Sequence, residues 1–230
     1  MSAPEQGERD GRVPDDQPPP ARPTTPAPLD TRRYGWGVGL LALALVIGFV
    51  LYTLSSHNKS GPAGVPAGGQ LHLFAAPLAA STLNGDANLH PPCTLARHDP
   101  RAMNVCLSVK RGPLVLAFFV TGSSQCEREV DSMQALATRR AFRHVQWAAV
   151  AVNGSHASTA KAVRRHGWRI PVAYDADGAV GGLYGVTACP LLELTRRGGT
   201  VAQRLIGEHW ISKSALAGRV RALLAAGAAR

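Results

Sequence analysis

An α/β domain with a central mixed sheet flanked by helices, standing behind a single N-terminal transmembrane helix, is the architecture this 230-residue sequence predicts. Three observations carry that expectation. Residues 34–54 (YGWGVGLLALALVIGFVLYTL) run through 21 positions without a charge, which at about 1.5 Å per residue crosses a hydrocarbon layer of about 30 Å. From Pro113 onward, short continuous apolar runs alternate with amphipathic stretches, the pattern of strands covered on both faces by packed helices. Two late apolar runs flank RRGG, so the last strands form an antiparallel hairpin and the sheet is mixed.

Taken from the N-terminus, residues 1–33 hold 8 of the 17 prolines, and Val13 and Leu29 are their whole share of large aliphatic and aromatic residues. So little apolar surface cannot offset the entropy of ordering, and a disordered tail is expected. Residues 34–54 could also be the apolar core of a secretory signal. Thirty-three residues ahead of it are long for such a signal, however, and the nearest small-x-small site ends only at Ala67. An uncleaved anchor fits better. Arg32 and Arg33 abut its start, which places the N-terminus in the cytoplasm and everything after Leu54 outside it. Residues 55–69 (SSHNKSGPAGVPAGG) read as a flexible tether, and 70–230 as the extracytoplasmic domain, with its core at 110–230. Within 70–112, LHLF and LSV are candidate short strands between Pro91, Pro92 and Pro100.

PLVLAFFV (113–120) is the first long buried strand; after the loop TGSSQ, CEREVDSMQALATRRAF repeats apolar residues at helical spacing through Val130, Met133, Leu136 and Ala137. VQWAAVAV (145–152) follows as a second strand, and STAKAVRRHG (158–167) as a helix ended by Gly167. A loop-rich link through DADGAVGGLYGV leads to the hairpin PLLEL and TVAQRLI, and SALAGRVRALLAAGAA closes the chain as a helix. The expected order is β-α-β-α, link, β-β-α.

Net charge is +10, and it divides unevenly: the tail carries 5 Lys/Arg against 6 Asp/Glu, whereas residues 55–230 carry 20 against 9. The basic residues are scattered, as in Arg139/Arg140, Arg164/Arg165 and Arg196/Arg197, without the interleaved aromatics of a nucleic-acid groove. Nucleic acid is therefore excluded as a partner; the membrane bilayer, met through 34–54, is expected instead. Cys93, Cys106, Cys126 and Cys189 all fall on the exported side, where disulfides persist.

The strand-loop-cysteine segment LAFFVTGSSQC, the run YGVTACPLLEL and the hairpin RRGGTVAQRLIG together resemble the thioredoxin-like fold, nearest to membrane-tethered TlpA-like thiol-disulfide proteins. The resemblance implies that Pro190 is cis and faces the redox helix, the alternative being a proline that merely opens a strand in trans. It also implies a C-x-x-C motif, and here the chain departs from it: Ser123 stands where the first cysteine belongs, giving Ser-Ser-Gln-Cys. A hydroxyl cannot form a mixed disulfide. Ser123 is instead expected to cap the helix. The acid that many thioredoxins bury in the first strand is matched by Ala117, so no acid-base helper is visible.

Cys126, at a helix N-terminus, reads either as a reactive thiol or as a small inert core residue. Cys189, just before Pro190, either pairs with Cys126 as the redox couple that Ser123 prevents locally, or packs. Cys93 and Cys106 enclose TLARHDPRAMNV and suit a structural disulfide; His90 and His98 raise zinc as a competitor, but the ligand spacing is absent. No cofactor and no metal are expected. Three functions remain open. The first is thiol-disulfide exchange through Cys126 with Cys189, with a protein thiol or disulfide as partner. The others are peroxiredoxin-like peroxide reduction by Cys126, with Ser123 as its hydroxyl, and a non-catalytic scaffold that binds an extended segment beside Pro190.

Overall fold

The structure, a computed structural model, describes residues 31–57 and 63–228. Residues 1–30 of the expected tail and 58–62 of the expected tether lie outside the described residues. Helix α1 spans Thr31–His57 and contains the apolar run 34–54. Its side chains are described over 35–51, where Trp36, Leu41, Leu45 and Phe49 are all exposed. Among the described residues no helix is long and apolar enough to cross a membrane.

Residues 63–228 form an α/β domain whose centre is a five-stranded mixed sheet. Its strands are β3 (Leu114–Phe119), β4 (Gln146–Val152), β5 (Val172–Asp175), β6 (Leu191–Thr195) and β7 (Val201–Ile206), and their order across the sheet is β5-β4-β3-β6-β7. β3 pairs parallel with β4 and β4 with β5, whereas β6 runs antiparallel to both β3 and β7. Central β3 explains its own composition. Val115, Ala117 and Phe119 join one core while Leu114, Leu116 and Phe118 join the other, so every position is buried and the run is continuously apolar.

The first core holds α3 (Ser124–Ala137) and α6 (Lys213–Ala228), through Val130, Met133 and Leu136 on one and Leu216, Val220 and Leu223 on the other. α4 (His156–His166) ends at Gly167, which takes the left-handed conformation at φ 67°, as its place in the sequence suggests. The second core holds α2 (Val105–Arg111) and the short α5 (Ala179–Leu183), with a two-stranded antiparallel pair, β1 (Ala75–Pro77) and β2 (Ala102–Asn104).

Four elements differ from the expectation. LSV (107–109) is helical, because the Asn104 side chain accepts from Leu107 N and caps α2 over it. LHLF precedes the strand it was expected to form, since β1 starts at Ala75. β5 was not foreseen; its four residues follow Pro171 and continue the sheet beyond β4, and the link after it contains α5. The tether ends early. Ala63 and Val65 are buried in the second core, Gly64 N donates to Tyr184 O at 2.7 Å and Val65 N to Glu193 Oε1 at 2.6 Å. Gly64 has φ +84°, and a Cβ there would collide with the Glu193 carboxyl, so glycine is what lets the chain enter.

Candidate redox site

β3 ends at Phe119, and Val120–Ser123 turns into α3 through Gly122, whose φ of +85° suits a residue without a side chain. Cys126 therefore lies in the first turn of α3, 6% exposed. From the other side, the antiparallel strand β6 is entered through a cis Cys189–Pro190 peptide bond, with Pro190 O accepting from Gly207 N at 3.1 Å. The two cysteines form a disulfide with Cα atoms 5.7 Å apart, inside the usual window of about 4.4–6.8 Å. Ser123, Cys126, Cys189 and Pro190 thus meet at one end of the sheet. Cys189 is half-buried and more open than Cys126.

Ser123 does not do what its position suggests. It occupies the N-cap with extended backbone, but its hydroxyl makes no capping bond. Its Oγ lies 3.0 Å from Cys126 Sγ, and since a disulfide sulfur carries no proton the hydroxyl is the donor. The start of α3 is held by Glu127 instead. Its side chain is 4% exposed; Oε1 accepts from Gly122 N at 3.0 Å, and Oε2 pairs with Arg165 Nη2 at 2.5 Å and lies 3.4 Å from His166 Nε2. Asp131 extends the network, its Oδ1 accepting from Trp168 Nε1 at 2.7 Å and lying 2.9 Å from His166 Nδ1. The loop, α3 and α4 are thereby tied together.

Among the buried acids that escaped the sequence reading are Glu129 and Glu193. Glu129, one turn along α3 from Cys126, is fully buried, its carboxyl oxygens have no hydrogen-bond partner among the described residues, and burial drives its pKa well above the ordinary range. It falls on the stripe Cys126, Val130, Met133, Leu136, so the signal was a carboxylate interrupting an apolar helix face. Ala117 sits in the same core as Cys126. Glu193, on β6, is pushed up to about 7 by burial, against the opposing pull of the Val65 N–H and of Arg204.

Cys93 and Cys106 form the second disulfide, with Cα atoms 5.4 Å apart, which fastens the 93 segment to α2. Their sulfurs are thereby taken out of any zinc site, and the described residues contain no group of three or more metal-ligating side chains.

A protein assigned as the thiol:disulfide interchange protein DsbE from Chlorobium tepidum superposes with a TM-score of 0.55 at 19% identity, covering 70% of this chain and 99% of its own. Peroxidoxin BcpB from Mycobacterium tuberculosis gives 0.53 at 18%, covering 70% and 96%. A thioredoxin-family thiol:disulfide interchange protein from Chlorobium tepidum TLS gives 0.52 at 17%, covering 71% and 99%. At these identities they show the fold, which is thioredoxin-like. No curated protein matches by sequence. The AhpC/TSA family model matches residues 90–204, half of the chain, a stretch that includes Ser123, Cys126, Cys189 and Pro190, and the chain belongs to the AhpC/TSA family of redoxins.

Proposed function

We propose that this protein is a membrane-anchored, extracytoplasmic thioredoxin-like redoxin that carries out thiol-disulfide exchange through Cys126 and Cys189. The observation that carries the reading is the bridge between them, which joins the first turn of the redox helix to the residue before cis-Pro190. An incoming substrate thiolate attacks the more open sulfur, Cys189 Sγ. The Cys126–Cys189 bond breaks, and Cys126 leaves as a thiolate favoured by the α3 N-terminus and the Ser123 O–H. A second substrate thiol then attacks the mixed disulfide and releases Cys189. The substrate dithiol loses two electrons to the protein pair, and two protons end on the protein sulfurs. Glu129, whose carboxyl burial shifts toward the protonated form, lies one turn along α3 from Cys126.

The anchor rests on the charge-free 34–54 and on the apolar side chains that run all round α1. A reporter that is active only when exported, fused after Arg230, tests the orientation; activity of a cytoplasm-only reporter would overturn it. For the chemistry, the reduced full chain bearing Cys126→Ser should trap a disulfide-bonded protein on Cys189: the Cys189 thiolate attacks the substrate disulfide, one substrate sulfur leaves as a thiol, and the mixed disulfide persists because Cys126 is no longer there to resolve it. If the wild-type bridge resists dithiothreitol while the Cys93–Cys106 bridge opens, the exchange reading fails.

The Ser123 contact favours a second reading. In the reduced chain, a Cys126 thiolate held by that hydroxyl would attack a peroxide oxygen, giving a sulfenic acid and the alcohol or water. Cys189 would then condense with it, releasing water and forming the same bridge. Consumption of hydrogen peroxide by the reduced chain separates the two.

A further inference from the structure

We propose that the cavity between α3 and the start of α6 binds a phosphate-bearing anion. It measures about 700 Å³ and is walled by two facing stripes. α3 contributes Arg128 and Ser132, and Arg139 follows two residues past its end; α6 contributes Lys213 and, two turns on, Arg221. Four cations converge on one hollow from two elements.

None of the four has an ion pair or a side-chain hydrogen bond among the described residues. Some other arginines of the domain are engaged. Arg101 pairs with Asp99, Arg165 with Glu127, Arg197 Nε donates to Lys110 O, and Arg219 lies over the Trp210 ring. Asp131 reaches the cavity wall, but its Oδ1 is already engaged by His166 and Trp168. The four cations, all exposed, outnumber Asp131, the one carboxylate of the lining, so the cavity carries a net positive charge. Ser212 and Ser214 add hydroxyls at the rim, bonded to each other at 2.9 Å.

Three guanidinium forks and an ammonium exceed what one carboxylate can satisfy, whereas the several oxygens of a phosphate accept from forks and from a point charge together. The occupant is accordingly a phosphate group, carried by a soluble ester or by a lipid headgroup. Its lining residues are distinct from Ser123, Cys126, Cys189 and Pro190, so the site stands independently of the redox reading.

The test is calorimetric titration of inorganic pyrophosphate into the full chain in dodecyl maltoside micelles, which carry no phosphate. Saturable binding is expected, weakened about tenfold or more in Arg139→Ala/Arg221→Ala and unchanged in Arg164→Ala, an exposed arginine of α4 outside the cavity. No saturable binding at millimolar pyrophosphate overturns the proposal. An equal loss in both variants does so as well, since binding would then follow net charge alone. Displacement of pyrophosphate by dihexanoylphosphatidylglycerol but not by glycerol 3-phosphate assigns the group to a lipid headgroup; the reverse assigns it to a soluble ester.

Discussion

Glu129→Met isolates the energetic role of the buried acid one turn along α3 from Cys126. Glu129 is fully buried, its oxygens lack partners among the described residues, and burial holds its carboxyl well above the usual range. An unpartnered buried polar group costs about 1–3 kcal/mol on mutational scales. Methionine, similar in length, removes that cost and keeps the space filled. The variant should therefore be more stable than wild type by about 1–3 kcal/mol near neutral pH. The gap should also depend on pH, with a sign fixed by linkage. In the unfolded chain the carboxyl ionises near 4.5, whereas the folded domain keeps its proton to higher pH. Wild-type stability thus falls as pH rises above that value, at a limiting slope of about 1.4 kcal/mol per unit, until the folded-state value is passed. Methionine lacks this loss, so its advantage should be larger at about pH 8 than at about pH 5. Urea unfolding of the oxidised full chain in dodecyl maltoside, followed by the fluorescence of Trp147, Trp168 and Trp210, measures both quantities. Destabilisation by more than about 1 kcal/mol, or a gap indifferent to pH, would refute the reasoning, because either means an ionised and well-partnered carboxylate.

Ser123→Ala removes the hydroxyl 3.0 Å from Cys126 Sγ, and a hydrogen bond to a charged sulfur is worth about 1.5–3 kcal/mol. The Cys126–Cys189 reduction potential should fall by about 30–60 mV in dithiothreitol equilibration, with stability almost unchanged; a capping-sized stability loss at constant potential would return the hydroxyl to a capping role. Glu127→Ala leaves Gly122 N without its acceptor and Arg165 without its carboxylate, so unfolding free energy should drop by about 1.5–3 kcal/mol and Gly122 amide exchange should quicken. Glu193→Gln keeps an oxygen for Val65 N but cannot ionise. Since the Glu193 carboxyl is pushed up to about 7, wild type loses stability between about 4.5 and about 7, and the glutamine's advantage should grow through that window and level off above it. A flat difference would remove Glu193 from the pH response.

How far the sequence could be read depended on how locally each feature is determined. β3, β4, the β6–β7 hairpin and helices α3, α4 and α6 were legible because each declares itself through its own periodicity. β5 was not: VAYD is four residues long, ends in an acid, and is a strand because β4 offers it an edge. LSV misled because β-branched and apolar residues suit either state, and Asn104 three residues earlier decides the matter as a cap. The pairing of Cys126 with Cys189 was open as one of two alternatives, since only a cis-proline loop folded against a helix brings positions 63 apart together. The buried acids were visible as letters and invisible as sites. Glu129 and Glu193 sit on faces whose burial is settled by elements far along the chain, and Ser123 was misassigned because capping and sulfur contact use the same position.

The Cys126–Cys189 bridge also has a topological side. It closes a covalent ring that contains β4, α4, β5 and α5, the whole parallel flank of the sheet. In the chain-entropy account, a loop of this length lowers the freedom of the unfolded ensemble by about 4 kcal/mol at 25 °C. Oxidised, the flank is locked by connectivity; reduced, it is held by packing alone. Electron transfer at two sulfur atoms is thereby converted into the ease with which two of the five strands open, even where the folded positions stay the same. A protease or chaperone that samples open states would read the redox history of the domain without touching either cysteine.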